Sequence, residues 1–145
     1  MDALLQRLVQ HTEAGEAVDP ADVESAIMSD DPMLQWFGCR AAGQSGDASW
    51  APRLRVLAVR PLRDDEPDVS LIAVTALCQL GGSFAQEFWM EMSRSASASA
   101  RRAAADMIGV LKAGDALEVL ERLLFDPDGE VLSWAALSAA KIGDR

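Results

Sequence analysis

A chain of 145 residues is one domain's worth of sequence and is long enough to bury a core. Half of its residues are hydrophobic and a quarter charged, Ala and Leu are abundant and tyrosine is absent, which favours helix over sheet. A formal net charge of -10, from 23 acids against 13 bases, argues against nucleic acid and anionic membranes as partners, because both attract clustered Lys and Arg; a basic partner is electrostatically easier.

Residues 2 to about 13 carry Leu4, Leu5, Leu8 and Val9 on one face and Gln6, Arg7, Gln10 and Glu13 elsewhere, an amphipathic helix that Gly15 should end. This stretch has acids and no long apolar run, so it reads as neither signal peptide nor transit sequence. No window approaches the roughly 18 apolar residues of a spanning helix, and a cytoplasmic setting is expected.

Asp19-Pro20 starts the next helix, with Val23, Ile27 and Met28 at helical spacing, and Asp31-Pro32 starts its partner. A longer helix is expected from Ser49 to Arg63 over Leu54, Leu57, Val59 and Leu62, with Pro52 in the opening turn and Pro61 kinking or shortening the end. Its partner, Pro67 to about Leu80, places Val69, Ile72, Ala73, Ala76, Leu77 and Leu80 on a buried stripe. Ser83 with Gln86, and later Asp115 with Glu118, read as capping boxes that open helices through Phe84, Phe88 and Met92 and through Leu117, Leu120, Leu123 and Leu124. Between them the serine-rich stretch MSRSASASARR falls where an interhelix turn belongs.

The last stretch, Asp126 to Asp144, recurs upstream in altered form from Asp31, Glu66 and Ser97, with starts 35, 31 and 29 residues apart. A period near thirty means stacked supersecondary units. Each copy opens on an acidic or hydroxyl residue, runs through Ala and aliphatics, and closes on Gly, the signature of a capped helix with a glycine stop.

This pattern resembles the HEAT-repeat superfamily in its short bacterial, phycobilin-lyase-type form, whose second helix reads roughly DPxVRxxAAxALGxLGD. The match covers residues 20 to 145 and is best in the third copy, at Ala100, Arg101, Arg102, Ala103, Ala104, Ala105, Asp106, Ile108 and Gly109. Trp36, Phe37 and Gly38 replace the Arg and Ala positions in the first copy, two extra residues precede Gly114 in the third, and Gly129 looks inserted in the fourth. The resemblance implies an all-α, right-handed α-solenoid of four short helical hairpins, over 19–47, 48–82, 83–115 and 116–145, behind a capping helix at 1–15. HEAT folds host scaffolds, lyases, hydroxylases and glycosylases alike, so the fold leaves function open.

His11 is the only histidine, which leaves no multi-histidine metal site and no relay with a second histidine; it reads as a solvated residue near a helix end. Cys39 and Cys78 fall where the helices want small or apolar groups and read as reduced core thiols. The resemblance to HEAT-like hydroxylases would require His-Glu pairs that are absent, and the resemblance to glycosylases would require a basic concave face. Calcium-loop spacing is absent too. No catalytic residue, cofactor or metal is expected.

Two surfaces remain. Acids gather at the first-to-second-helix turns: Asp30 and Asp31, then Asp64, Asp65, Glu66 and Asp68, then Asp126, Asp128 and Glu130. They read either as caps in the favourable field of helix N-termini or as a ridge that steers a basic partner. On the second helices, which line the concave surface in HEAT folds, an exposed row is expected through Met33, Trp36, Arg40 and Gln44, then Asp68, Leu71, Thr75 and Gln79, then Arg102 and Asp106, then Ser133, Leu137 and Lys141. Packing of Trp36, Leu71 and Leu137 between layers is the competing reading.

The function expected is a non-catalytic protein-protein interaction module, an adaptor or scaffold. Its partner-binding residues would be Met33, Trp36, Arg40, Leu71, Thr75, Arg102, Asp106 and Leu137, with Asp64, Asp65 and Asp68 on the acidic edge. An acidic inhibitor or immunity-type protein that blocks a basic toxin or nuclease is the alternative, and a bilin-lyase-like enzyme stands third. Leu77, Ile108 and Leu120 should be buried. The last helix carries more apolar positions, Val131, Leu132, Trp134, Leu137 and Ile142, than one stripe needs, so a homodimer through the C-terminal repeat or a docked protein is expected there.

Overall fold

The computed structural model describes residues 2–81 and 83–143, in which every regular element is helical. Asp2, Asp19 and Asp31 each accept the amide proton two residues on, from Leu4, Ala21 and Met33, and so open α1 (Ala3–Ala14), α2 (Pro20–Ile27) and α3 (Pro32–Ser45). Asp47 does the same for Ser49, but it opens a 3-10 turn, Ala48–Trp50, that runs into α4 (Ala51–Ala58). The helix expected to reach Arg63 is therefore short. Pro61 has no amide proton and bars the residue before it from helical geometry, so Val59 and Leu62 lie in the loop beyond α4.

The second half holds α5 (Val69–Leu80), α6 (Ser83–Met92), α7 (Ala98–Leu111), α8 (Leu117–Leu123) and α9 (Gly129–Gly143). The expected turn in the serine-rich stretch falls at 93–97, and Ser97 caps α7 by accepting from the Ala100 amide at 3.4 Å. Neither expected capping box forms. Ser83 lies inside α6, the residue before it being outside the described set, and Asp115 is taken into a 3-10 turn, Gly114–Ala116, that leads straight into α8. The glycine stops hold at Gly15 and Gly46, whose φ values of +69° and +71° suit a residue without Cβ. In the third unit Lys112, at φ 48°, makes the left-handed exit in place of Gly114.

The start of α9 is a further correction. Asp126-Pro127 does not open it; Asp128 does, with Oδ1 accepting from the amides of Glu130 and Val131 at 3.0 and 3.2 Å. The apparent insertion is thus two residues ahead of the cap, and counting from Asp128 restores the 31-residue spacing that separates the copy starts at Glu66 and Ser97, although α5, expected from Pro67, itself opens at Asp68. Asp126 is released to pair with Arg101, whose Nε and Nη2 donate to it at 2.8 and 3.2 Å.

Packing is set by these lengths. The longer helices α3, α5, α7 and α9 lie against one another in succession, and each carries its own shorter helix, α2, α4, α6 or α8, on one side. The first helix, α1, packs on both α3 and α2 and is tied to α2 by Arg7, which donates from Nε and Nη2 to Asp22 at 2.9 Å each. Leu77, Ile108 and Leu120 are 0, 0 and 2 % exposed, as their stripe positions require.

Close approach of the long helices depends on two glycines. A Cβ on Gly43 would stand 2.8 Å from the Ala76 Cα, and one on Gly109 would stand 2.8 Å from the Ser138 Cβ and 3.0 Å from its Cα. Backbone would have to move in both places. Gly109→Ala should therefore destabilise the fold by about 1 to 3 kcal/mol, whereas Gly129→Ala, whose Cβ meets nothing within 4 Å, should not; urea midpoints of the two variants check this.

Candidate protein-interaction surface

On three of the four long helices, α3, α5 and α7, one position is committed to holding the hairpin shut. It is occupied by Gln35, Ser70 and Arg101, which stand at the same distance from Asp31, Glu66 and Ser97. Gln35 Nε2 donates to the Ser29 carbonyl at 2.7 Å, the Ser70 hydroxyl to the Ala58 carbonyl, and Arg101 Nη1 to the carbonyls of Ser95 and Ala96 at 2.9 and 3.1 Å. In each case a long-helix side chain satisfies backbone acceptors left at the end of the short helix or in the turn beyond it. Sequence reasoning missed this row because its residue types differ. The usable signal was constant distance from the start of each repeated stretch.

The next row along is the one expected to meet a partner, and the fold divides it. Met33 is exposed, while Trp36 is half-buried, edge-on to Phe37 at 4.9 Å and covered by the Arg40 guanidinium at 5.9 Å. Leu71 and Thr75 are half-buried, and the Thr75 hydroxyl donates to the Leu71 carbonyl within its own helix at 3.1 Å. Gln44, Gln79 and Ser133 are exposed and Lys141 is half-buried.

Arg102 and Asp106, however, are only 1 and 5 % exposed. They are enclosed because α7 is sandwiched between α5 and α9 along this very row. Arg102 lies 5.6 Å below the Trp134 ring, and its Nη2 donates to the Ser70 hydroxyl and, at 3.4 Å, to the Ala58 carbonyl. Burial lowers the Arg102 pKa against the opposing pull of Asp106, Glu130 and Asp68, and burial raises that of Asp106 against Arg102 and Lys141. These two residues belong to the packing of the long helices and are not presented to a partner. Leu137, at the far end of the row, is 49 % exposed.

The acidic edge is divided as well. Asp31 serves as a cap, Glu66 pairs with Arg63 at 3.2 Å, and Asp126 is drawn into the ion pair with Arg101. Asp64, Asp65 and Asp68 are exposed and take part in no ion pair among the described residues. Asp30, Asp31, Asp128 and Glu130 form no ion pair among the described residues either, but the turn between α4 and α5, next to Leu71, gathers three such acids.

The opposite side carries apolar surface that the sequence did not single out. Short helices touch one another little, and grooves run between them. Met28 and Val56 face one of about 170 Å³ between α2 and α4; Val56 and Phe84 face another of about 390 Å³ between α4 and α6. Val56 lies off the Leu54–Leu57 stripe, which was the available sign.

As for chemistry, the Cys39 and Cys78 thiols are both pushed up to about 12, by burial in each case and at Cys78 also by the Asp106 charge, which makes them poor nucleophiles. His11 Nδ1 lies 3.2 Å from the Ala17 carbonyl at the exit of α1. Among the described residues no group of three or more His, Cys, Asp or Glu is placed to hold a metal ion.

Residues 85–145, from α6 through α9, match the family model for HEAT repeats. No curated protein matches the chain.

Proposed function

We propose, for a chain that belongs to the HEAT-repeat superfamily, a non-catalytic role as an adaptor or scaffold that binds a protein partner. HEAT repeats are generally protein-interaction scaffolds and typically non-catalytic, which supports this reading. The binding face runs from Met33, Trp36 and Arg40 to Leu71 and Thr75, with Asp64, Asp65 and Asp68 along its edge. A mixed aromatic, aliphatic and arginine surface of this kind suits recognition by burial of a few anchors. The carrying observation is the unneutralised acid turn beside half-buried apolar groups, which favours a partner with a basic patch. A cytoplasmic setting and four hairpins wound right-handed behind α1 complete the proposal; no helix among the described residues is long and apolar enough to cross a membrane.

The same charge pattern favours, as a second reading, an inhibitor that covers the basic face of a toxin or nuclease. Affinity capture with mass spectrometry separates the two, since a captured partner whose own activity is blocked by the chain indicates inhibition and one whose activity persists indicates scaffolding. With that partner in hand, Asp64→Asn, Asp65→Asn and Asp68→Asn together should slow association by about tenfold at low salt and remove most of its salt dependence. Stopped-flow association rates unchanged by the three substitutions would remove the acidic edge from the binding face.

A further inference from the structure

The outer face of α9 repeats, position by position, a face that the chain buries elsewhere. On α7 the side turned to α9 is marked by Arg102 under Trp134, by the Ala105 carbonyl that accepts the Ser138 hydroxyl proton at 2.6 Å, and by Gly109 against Ser138; Asp106 lies in the same row. Moving along the chain by the cap-to-cap spacing of 31 residues brings these four to Ser133, Ala136, Leu137 and Ala140. All four are exposed, with Leu137 at 49 %, and Leu132 beside them is 41 % exposed. On α9 the docking face of a long helix is thus presented to solvent.

We propose that this face pairs with the same face of a second copy of the chain, α9 against α9 and antiparallel. Three observations select that occupant. The first is charge. Glu130 and Lys141 lie toward opposite ends of α9 and, at 100° per residue, on the same flank of the exposed face. In a two-fold antiparallel pair centred between Ala136 and Leu137, Glu130 of each copy comes within about 3 Å, measured along the axis, of Lys141 of the other, so that two reciprocal ion pairs form.

The second observation is the opposite end of the stack. The outer side of α1 exposes Gln6, Gln10 and Glu13, so head-to-tail stacking would press the apolar α9 face on a polar one. An isologous pair avoids that mismatch and closes on itself. The third is shape: Ser133, Ala136 and Ala140 keep the centre of the face low, as Gly43 and Gly109 do where the long helices approach inside the chain, and Leu132 and Leu137 flank it. This inference concerns α9 alone and is independent of the partner-binding face proposed above.

Sedimentation equilibrium of the full chain, over a concentration series reaching the millimolar range, tests it. The weight-average mass should rise toward twice the monomer value. Leu137→Glu, which alters an exposed side chain and should leave the helical circular dichroism intact, should weaken the dimer by about 100-fold or more, because two like charges meet near the axis. Glu130→Lys should weaken it by a smaller factor, and Glu130→Lys with Lys141→Glu should restore it. A wild-type chain that stays monomeric throughout the series overturns the proposal, as does a dimer indifferent to Leu137→Glu. A face that engages a different protein through Leu137 while the chain alone stays monomeric overturns it in favour of that protein.

Discussion

Leu77→Ala should lower the unfolding free energy by about 2 to 5 kcal/mol, the range for truncating a buried leucine. Leu77 sits on α5, which packs against α3, α4 and α7, and none of its side chain reaches solvent. One turn away on the same face are Ala73 and Val74, both fully buried, so the vacated volume stays enclosed. Both the transfer loss and the cavity term should therefore be felt. In urea the midpoint should drop with the slope unchanged, whereas Leu137→Ala, on an exposed face, should stay within about 0.5 kcal/mol of wild type for the monomer. A Leu77→Ala midpoint equal to that of wild type would mean that α5 is not the centre of the stack.

The second large effect is expected at Arg101, the member of its row that ties its own turn to the next hairpin through an ion pair. The Arg101 and Asp126 side chains are 17 and 7 % exposed, and two of the guanidinium nitrogens bond the carboxylate while a third holds the Ser95 and Ala96 carbonyls. Arg101→Met should cost about 3 kcal/mol at neutral pH, the lower end of the range for removing one partner of a buried pair, because Asp126 is left enclosed without its counter-charge.

The pH dependence has a definite sign. Burial alone would raise the Asp126 pKa, but the hydrogen bond from Arg101, that from the Asp128 amide and the Arg101 charge together outweigh it and hold the carboxyl below its ordinary value. With the folded pKa below the unfolded one, this contribution is complete above the unfolded value and is lost as pH falls through the folded one. A double-mutant cycle of Arg101→Met with Asp126→Asn, run in urea at several pH values, should show strong coupling near neutrality that fades in acid. Coupling that is absent near pH 7, or that grows on acidification, would contradict the assignment.

Much of this was legible in the amino-acid sequence. Helix entries at Asp19-Pro20 and Asp31-Pro32, exits at Gly15 and Gly46, the shortening of α4 ahead of Pro61 and the burial of Leu77, Ile108 and Leu120 all come from local rules: caps satisfy orphan amides, left-handed exits favour glycine, and apolar stripes recur at helical period. The candidate site was less legible. Trp36, Leu71, Arg102 and Ser133 share one sequence position yet range from exposed to fully enclosed, because sequence period assigns a side to a helix but not the neighbour that covers it.

The sequence by itself determined the all-helical class, the hairpin period and most helix ends, since these depend on interactions within a few residues of one another. Only the tertiary structure decided that Asp128 rather than Asp126 opens α9, because the choice rests on Arg101, 25 residues away, claiming the earlier carboxylate. It likewise decided that Arg102 and Asp106 face a helix while Leu137, at the same repeat position as Asp106, faces solvent: a long helix with neighbours on both sides buries that row, and α9 has none on its outer side among the described residues.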